Sequence, residues 1–126
     1  MNYRGLIWAG VYVQDLDASV TFYRDVLSLP LLDRGDTWAY FDAGSGALLE
    51  LYSGGVAKTA PKTADQQSII LGLRVDDLDA AIAELSAKGV QFLPEDSGEE
   101  GGERWAHFYD NEGNRLGVKE VPERED

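Results

Sequence analysis

Few residues of this chain could perform acid–base chemistry in a sheltered site. His107 is the only histidine among the 126 residues, and it lies within the run Trp105-Ala106-His107-Phe108-Tyr109. Glu50 is the single carboxylate in the apolar stretch 47–52. Both groups can act as a general acid or base when burial tunes their pKa. Because the chain has no cysteine, thiolate nucleophiles, cysteine metal ligands and disulfides are excluded.

Aromatic residues accompany both of these side chains. The three tryptophans are Trp8, Trp38 and Trp105, and six tyrosines occur beside them or in similar runs. Indole and phenol rings bind flat, partly apolar molecules by stacking, and their faces attract cations. These residues indicate a site for a small aromatic molecule, with Glu50 available to pair with a positive group on it.

An internal repeat predicts the elements that position these side chains. The segment 13–20 returns as 75–82, with each residue displaced by 62 positions. Each copy follows an alternating apolar run and precedes a helical pattern, with Asp15 and Asp77 placed as helix N-caps. The repeat therefore predicts one domain over 1–126, built from two modules (about 4–52 and 68–121) and a linker (53–67).

Both modules are predicted to follow the order β-α-β-β-β, which is an α+β fold. The first has strands at 6–13, 31–34, 37–42 and 47–52, and a helix with apolar residues at 16, 20, 23 and 27. The second has strands at 68–75, 90–93, 104–110 and 115–121, and a helix from Leu78 that ends before Gly89. The acidic segment 95–103 is interpreted as a mobile, solvated loop, and 111–114 as a hairpin turn.

Alternation along the strands separates two faces. One face is uniformly apolar and is expected to lie under the helices, with Ile7, Ala9, Val11 and Val13 repeated as Ile69, Leu71, Leu73 and Val75. The other face would line a cavity. Its candidate ligand-binding residues are Trp8, Tyr12, Trp38, Tyr40, Leu48, Glu50, Tyr52, Ile70, Arg74, Trp105, His107, Tyr109 and Arg115.

The composition limits which partners and which cellular compartment are expected. The net charge is −12, so nucleic acids and anionic membranes would be repelled and a cationic partner attracted. No apolar stretch approaches the roughly 20 residues of a membrane span, and no signal-peptide pattern opens the chain. With no cysteine, the expected compartment is the cytoplasm.

Several short sequence motifs resemble those of the vicinal oxygen chelate superfamily, which includes glyoxalases, bleomycin-resistance proteins and extradiol dioxygenases. The matching segments are 13–17, 22–27, 49–51, 74–78 and 108–114, although Asn111 stands where the family usually has proline. The resemblance implies that the two βαβββ modules curl into a U-shaped sheet with the helices outside and the ligand inside. It also implies a homodimer.

The resemblance further implies four positions for a divalent metal. They fall on Trp8, Glu50, Ile70 and Gly117 in this sequence. Tryptophan, isoleucine and glycine side chains do not ligate metals, and one carboxylate alone holds a divalent ion weakly. No metal and no other cofactor is therefore expected, and the metal-dependent chemistries of the family do not carry over.

Two functions from different classes remain open at this point. The first is a metal-free protein, resembling bleomycin-resistance proteins, that sequesters an aromatic, cationic antibiotic or secondary metabolite. The second is an enzyme of the same fold, such as a lyase, isomerase or dioxygenase-like protein, with Glu50 or His107 as acid or base. A structural alternative is that the indoles only fill the cavity or a dimer interface.

Overall fold

The computed structural model describes residues 1–57, 62, 66–67 and 69–123. Within it the chain forms two compact units, Met1–Lys58 and Thr59–Asp126. Each unit contains one βαβββ module with a four-stranded sheet, so the predicted α+β fold is confirmed. In the described residues, no helix is both long and apolar enough to span a membrane.

The first module contains one sheet of order β1-β4-β3-β2. Strands β1 and β4 run parallel, and the other neighbours are antiparallel. Its elements are β1 (Trp8–Val13), α1 (Leu16–Thr21), a π-helical turn (Phe22–Val26), β2 (Leu31–Arg34), β3 (Trp38–Asp42) and β4 (Leu48–Ser53). The predicted helix is therefore present, but it changes from α- to π-helical geometry at Phe22.

The first helix begins where the sequence predicts. The Asp15 carboxylate accepts a hydrogen bond from the Ala18 backbone N–H at 3.0 Å. The helix covers the apolar face of the sheet, where the rings of Tyr23 and Phe41 lie 6.1 Å apart and both are fully buried. Leu49 and Leu51 of β4 are buried on this same face. The core of the first module thus lies between helix and sheet.

The second module repeats this arrangement with sheet order β5-β8-β7-β6. Strands β5 and β8 are parallel, and β8, β7 and β6 are antiparallel neighbours. Its elements are β5 (Leu71–Arg74), α2 (Leu78–Ala87), β6 (Phe92–Glu100), β7 (Glu103–Tyr109) and β8 (Arg115–Glu120). Ser68, where the sequence places the start of this module, lies outside the described residues.

Helix α2 has both predicted ends. Asp77 accepts a hydrogen bond from the Ala80 N–H at 3.0 Å, as Asp15 does in the first module. At the other end Gly89 adopts a φ of 91°, and the Val90 N–H donates to the Leu85 carbonyl at 3.0 Å. This is the glycine-terminated geometry that the sequence predicts. The turn at 111–114 is also confirmed, since the Asp110 N–H donates to the Asn114 carbonyl.

The prediction of a loop over 95–103 is wrong. Residues 95–100 continue β6 and Glu103 begins β7, with a turn at Gly101 and Gly102. Both glycines have positive φ, which a tight hairpin turn requires. The many charged residues of this segment are typical of a loop, but they belong to a strand whose side chains are mostly exposed to solvent.

Two residues assigned to the buried face are also placed wrongly. Ile7 is 67% exposed and Ile69 is 73% exposed, and both precede the first residue of their strand. The rest of the alternation is confirmed in β3, β4 and β7, where buried and half-buried residues alternate.

Candidate functional site

Each sheet has one face that carries no helix. We call these the first and second helix-free faces. The first carries Trp8, Gly10, Tyr12, Trp38, Tyr40, Leu48, Glu50 and Tyr52, and the second carries Gly72, Arg74, Trp105, His107, Tyr109, Arg115, Gly117 and Lys119. Opposite them, the residues that alternate with these side chains form the buried cores.

A carboxylate–phenol pair lies in the middle of the first helix-free face. The Tyr52 hydroxyl donates a hydrogen bond of 2.5 Å to Glu50 Oε2. This bond, together with partial burial and the negative charge of Glu50, raises the pKa of Tyr52 to about 12. Glu50 forms no ion pair among the residues that the structure describes. Its negative charge is therefore available to a ligand.

Aromatic rings surround this pair because of the strand register. Glu50 lies opposite Gly10 on one side and Tyr40 on the other. The ring centroids of Tyr12 and Tyr52 are 5.4 Å apart, and those of Trp38 and Tyr40 are 4.8 Å apart. Such ring pairs hold one another in place by offset or tilted packing. The result is an aromatic surface around one carboxylate.

Glycines allow several of these rings to lie close to the backbone. A Cβ at Gly10 would stand 2.9 Å from Tyr52 Cε2 and 3.0 Å from Trp8 Cζ3. A Cβ at Gly35 would stand 2.6 Å from Trp38 Nε1. Although these rings pack on glycine, Trp8 remains 58% exposed. The first helix-free face therefore offers wide ring surfaces to a ligand.

The second helix-free face contains a cleft of about 570 Å³. This volume is within the range of small-molecule sites. It lies between the sheet and the β6–β7 hairpin, and it is lined by Gly72, Glu100, Gly101, Glu103, Trp105, His107, Gly117, Val118 and Lys119. All of these residues belong to the second unit.

His107 lies in this cleft without a hydrogen-bonding partner. Its Nδ1 atom is buried and accepts or donates no hydrogen bond within the described chain. Burial lowers the pKa of His107, the positive charge of Arg115 lowers it further, and Asp96 opposes both effects. The ring lies over Gly117, where a Cβ would be 2.7 Å from Cδ2 and 3.1 Å from Nε2. The His107 ring thus forms one wall of the cleft.

Trp105 forms the neighbouring wall. A Cβ at Gly98 would stand 2.5 Å from Trp105 Cζ2, so this indole also packs on a glycine of the adjacent strand. The Lys119 ammonium lies 5.7 Å from the indole centroid and 3.1 Å from a Glu103 carboxylate oxygen. Glu103, Trp105 and Lys119 therefore fix one another by a cation–π contact and an ion pair.

The structure divides the predicted ligand-binding residues into groups. It brings Glu50, Tyr52 and Tyr12 together on one face, and it places Trp105 and His107 in the cleft. The described lining of the cleft does not include four other predicted residues, Ile70, Arg74, Tyr109 and Arg115. Arg74 is exposed beside Glu123, and Ile70 precedes β5. Arg115 is instead paired with Asp96 at 3.1 Å.

Some residues of the cleft were missed at the level of sequence. Lys119 follows Arg115 and Gly117 at a spacing of two, so the alternation used above would have found it. Glu100, Gly101 and Glu103 were missed because the segment 95–103 was interpreted as a loop. The packing of Trp105 on Gly98 joins residues on neighbouring strands, which periodicity alone cannot detect.

The residues at the four family metal positions do not fit a metal. Among them only Glu50 has a ligating side chain. At Gly117, the space where a fourth ligand would project is occupied by the edge of the His107 ring. Within the part of the chain that the structure describes, no three His, Asp or Glu side chains converge. This set of side chains therefore supports no metal-dependent step.

Comparisons with known proteins agree with this paired-module fold. Residues 5–118 match the model of the Glyoxalase/Bleomycin resistance protein/Dioxygenase superfamily. The Bacillus subtilis (strain 168) protein YraH is 32% identical over 124 residues, covering 90% of this chain and 95% of that protein. The chain therefore belongs to the glyoxalase/bleomycin resistance/dioxygenase superfamily.

Solved structures that resemble this chain include both a binding protein and an enzyme. TnmS3, an antibiotic binding protein from Streptomyces sp. CB03234, is 25% identical with a TM-score of 0.72, covering 97% of this chain and 99% of that one. The lactoylglutathione lyase from Agrobacterium tumefaciens is 21% identical with a TM-score of 0.74, covering 95% and 96%. The second likeness concerns the fold alone.

Proposed function

We propose that this protein binds and sequesters a flat aromatic molecule that carries a positive charge, such as an antibiotic or a secondary metabolite. The observation that carries this proposal is the aromatic surface around the Glu50 carboxylate, whose charge has no cationic partner in the described chain. Rings positioned on glycines offer stacking at little cost in side-chain entropy. Similarity to the antibiotic binding protein TnmS3 supports the same interpretation.

The charge of the ligand follows from Glu50. A half-buried carboxylate beside aromatic faces attracts an organic cation through both charge and cation–π contact. The net charge of −12 would increase the rate of encounter with such a cation. For the same reason, nucleic acids and anionic membranes are not partners in this proposal.

The proposal includes a homodimer in the cytoplasm, with the ligand in an aromatic-lined groove. The exposed apolar residues around β1, among them Leu6, Ile7 and Trp8, would be covered in part by a second copy. A role in drug resistance follows if the bound antibiotic is released unchanged. Sedimentation analysis tests the dimer, and a monomer at micromolar concentration would contradict it.

The test of the binding function is a titration followed by tryptophan fluorescence. The panel contains bleomycin-type glycopeptides, anthracyclines, mitomycins and other flat natural products. We expect submicromolar quenching by one class, with the ligand recovered unchanged after incubation. If every compound leaves the emission unaltered, the rings fill space in the protein and do not serve this class of ligand.

The cation requirement is tested with two probes that share one ring system. The 10-methylacridinium ion carries a permanent charge, and acridine does not at neutral pH. We expect Glu50→Gln to weaken 10-methylacridinium binding about tenfold, equivalent to about 1.4 kcal/mol, and to leave acridine binding unchanged. Equal losses for both probes would mean that Glu50 supports the shape of the site and not the charge of the ligand.

The second candidate is an enzyme that uses Glu50 or His107 as acid or base. The observation that favours it is the lowered pKa of His107 in a cleft, since an unprotonated imidazole can accept a proton near neutral pH. Its test is the product analysis of each ligand found above. Turnover that is abolished by His107→Gln or Glu50→Gln at preserved affinity would replace the sequestering function with catalysis.

A further inference from the structure

Strand β6 contains a bulge in the middle of its length. Its pairing with β7 is interrupted between Leu93 and Gly98, where residues 94–97 lie opposite a single residue of β7. Pro94 has no N–H to donate to a neighbouring strand, and the Ser97 hydroxyl donates to the Pro94 carbonyl at 2.8 Å. Because β6 is an edge strand, no described strand of this sheet holds the bulge from its other side. We call residues 94–97 the β6 strap.

One ion pair ties the strap to a strand that is not its neighbour. Asp96 Oδ2 lies 3.1 Å from Arg115 Nη2. Since β7 lies between β6 and β8 in the sheet, this pair crosses β7 on the second helix-free face. The two side chains are 24% and 20% exposed, which makes this the most buried ion pair in the part of the chain that the structure describes. The strap is therefore folded over the face and held there by charge.

The Arg115 end of this ion pair is fixed independently of the strap. The Arg115 N–H donates to Gln67 Oε1 at 2.6 Å, and Gln67 Nε2 donates to the Arg115 carbonyl at 2.7 Å. Gln67 Nε2 also donates to the Ile69 carbonyl at 2.8 Å. The Gln67 amide thus holds the first residue of β8 as a neighbouring strand would. A movement that separates the two charges must therefore come from the strap.

Three polar atoms oppose the closed position of the strap. Asp96 Oδ2, Arg115 Nε and His107 Nδ1 are buried, and none of them forms a hydrogen bond with a residue that the structure describes. Buried polar atoms without hydrogen bonds favour exposure to water, and an ion pair loses hydration when it is buried. The closed position therefore gains the attraction between two charges and loses the hydration of three atoms. Opposing contributions of this kind favour two arrangements of similar free energy.

We propose that the β6 strap opens and closes over the second helix-free face, and that the ion pair between Asp96 and Arg115 is the latch that holds it closed. The structure shows the closed arrangement, in which His107 Nδ1 is shielded from water. In the open arrangement Asp96 lies in solvent, and water and solutes reach the end of the face where His107 and Arg115 lie. This device stands whether or not the proposed sequestering function is correct, because its test needs no ligand.

The motion itself is measured by nitrogen relaxation dispersion, which detects exchange between conformations on the microsecond-to-millisecond timescale. We expect exchange at the backbone amides of residues 95–97 and at His107. The amides of residues 116–119 in β8 should give flat profiles, since Arg115 and its strand stay in place. Flat profiles at residues 95–97 would overturn the proposal.

The latch is tested by Asp96→Asn, which removes the charge at nearly constant size. If the strap opens, His107 loses its burial and its pKa rises toward the ordinary value. If the strap stays closed, the pKa of His107 falls further, because the negative charge of Asp96 raises it in the folded protein. His107 is the only histidine, so NMR of one imidazole distinguishes the two results. We expect the rise, and a fall would overturn the proposal.

Asp79→Asn is the matched control for this variant. It removes a carboxylate from the ion pair with Arg104, at 2.7 Å, on the helix side of the same module. We expect the pKa of His107 and the exchange at residues 95–97 to stay as they are in the unmodified protein. Equal changes in Asp79→Asn and Asp96→Asn would mean that loss of any ion pair loosens this module, and the latch would be disproved.

Charge reversal tests the pair as a unit. Asp96→Lys and Arg115→Glu each bring like charges together, and each is expected to raise the open population about tenfold. The double variant restores opposite charges, so its open population should return to within about twofold of the unmodified protein. A double variant that is as open as either single variant would contradict the assignment of this pair as the latch.

Discussion

The two modules repeat one backbone but carry different chemistry on their helix-free faces. The two sheets have the same strand register, so positions on the first helix-free face have equivalents on the second. The equivalent pairs are Gly10 and Gly72, Tyr12 and Arg74, Trp38 and Trp105, Tyr40 and His107, Glu50 and Gly117, and Tyr52 and Lys119. A glycine on the first strand and a tryptophan on the third are common to both modules.

The central position explains how the same strands produce different sites. In the first module it carries the Glu50 carboxylate, which accepts a hydrogen bond from the Tyr52 hydroxyl. In the second module it is Gly117, and the missing side chain gives the His107 ring room to lie over the strand. This position thus carries a negative charge in the first module, and in the second it leaves room for a neighbouring imidazole ring.

The largest expected effect tests which of the two helix-free faces binds the ligand. For the compound found by fluorescence titration, Trp8→Ala or Trp105→Ala is expected to weaken binding more than tenfold, because it removes a stacking surface from the face that carries the ligand. Circular dichroism should show an intact fold. Leu32→Ala is the control, since Leu32 is 57% exposed, as Trp8 is at 58%. Unchanged affinity in both tryptophan variants would contradict the binding function.

A smaller effect distinguishes the two equivalent glycines. Gly10→Ala places a Cβ 2.9 Å from the Tyr52 ring, whereas Gly72→Ala meets nothing within 4 Å. We expect Gly10→Ala to lower the free energy of unfolding by about 1 kcal/mol, because the rings must rotate away. Gly72→Ala is expected to raise it by about 0.5 kcal/mol through the unfolded chain. Equal effects in urea unfolding would mean that the rings do not rest on Gly10.

The fold was largely predictable because its signals are local. The aspartate caps at Asp15 and Asp77, the terminal Gly89 and the period-two alternation each act within a few residues. The π-helical turn after Thr21 could not be predicted, since the apolar residues at 16, 20, 23 and 27 have the spacing of one continuous α-helix. The hairpin turn at Gly101 and Gly102 was not predicted, because the charged residues around it are typical of a solvated loop.

The site was predicted less completely because its geometry depends on pairs of strands. Alternation correctly placed Glu50, His107 and the tryptophans on the helix-free faces. It could not show that Tyr52 donates to Glu50, or that a ring fills the space above Gly117. The first feature depends on the side-chain conformations of two residues on one face of β4. The second depends on the register of β7 with β8, which pairs Gly117 with His107. A single sequence does not specify that register before the strands are known.

The ionisation of Tyr52 tests the first face at high pH. Its pKa is raised from 10.0 to about 12 in the folded protein, so this hydrogen bond stabilises the fold below pH 10. That contribution is lost as the pH rises through about 12. We expect one tyrosine to titrate late by ultraviolet absorbance, and Glu50→Gln to lower its pKa. Identical titration of the variant would show that the carboxylate does not hold the hydroxyl.

The ionisation of His107 gives the smallest expected effect and tests the second face at low pH. Burial lowers the folded-state pKa, so the unfolded chain binds a proton more readily than the folded one. The contribution of the neutral ring to stability is complete above the unfolded pKa of about 6.5 and is lost as the pH falls through the folded pKa.

NMR of the single imidazole should therefore give a pKa below 6.5. His107→Phe should remove this part of the pH dependence of stability. A pKa at or above the ordinary value would mean that Asp96 outweighs burial and Arg115, and the second face would then present a cation where the first presents an anion.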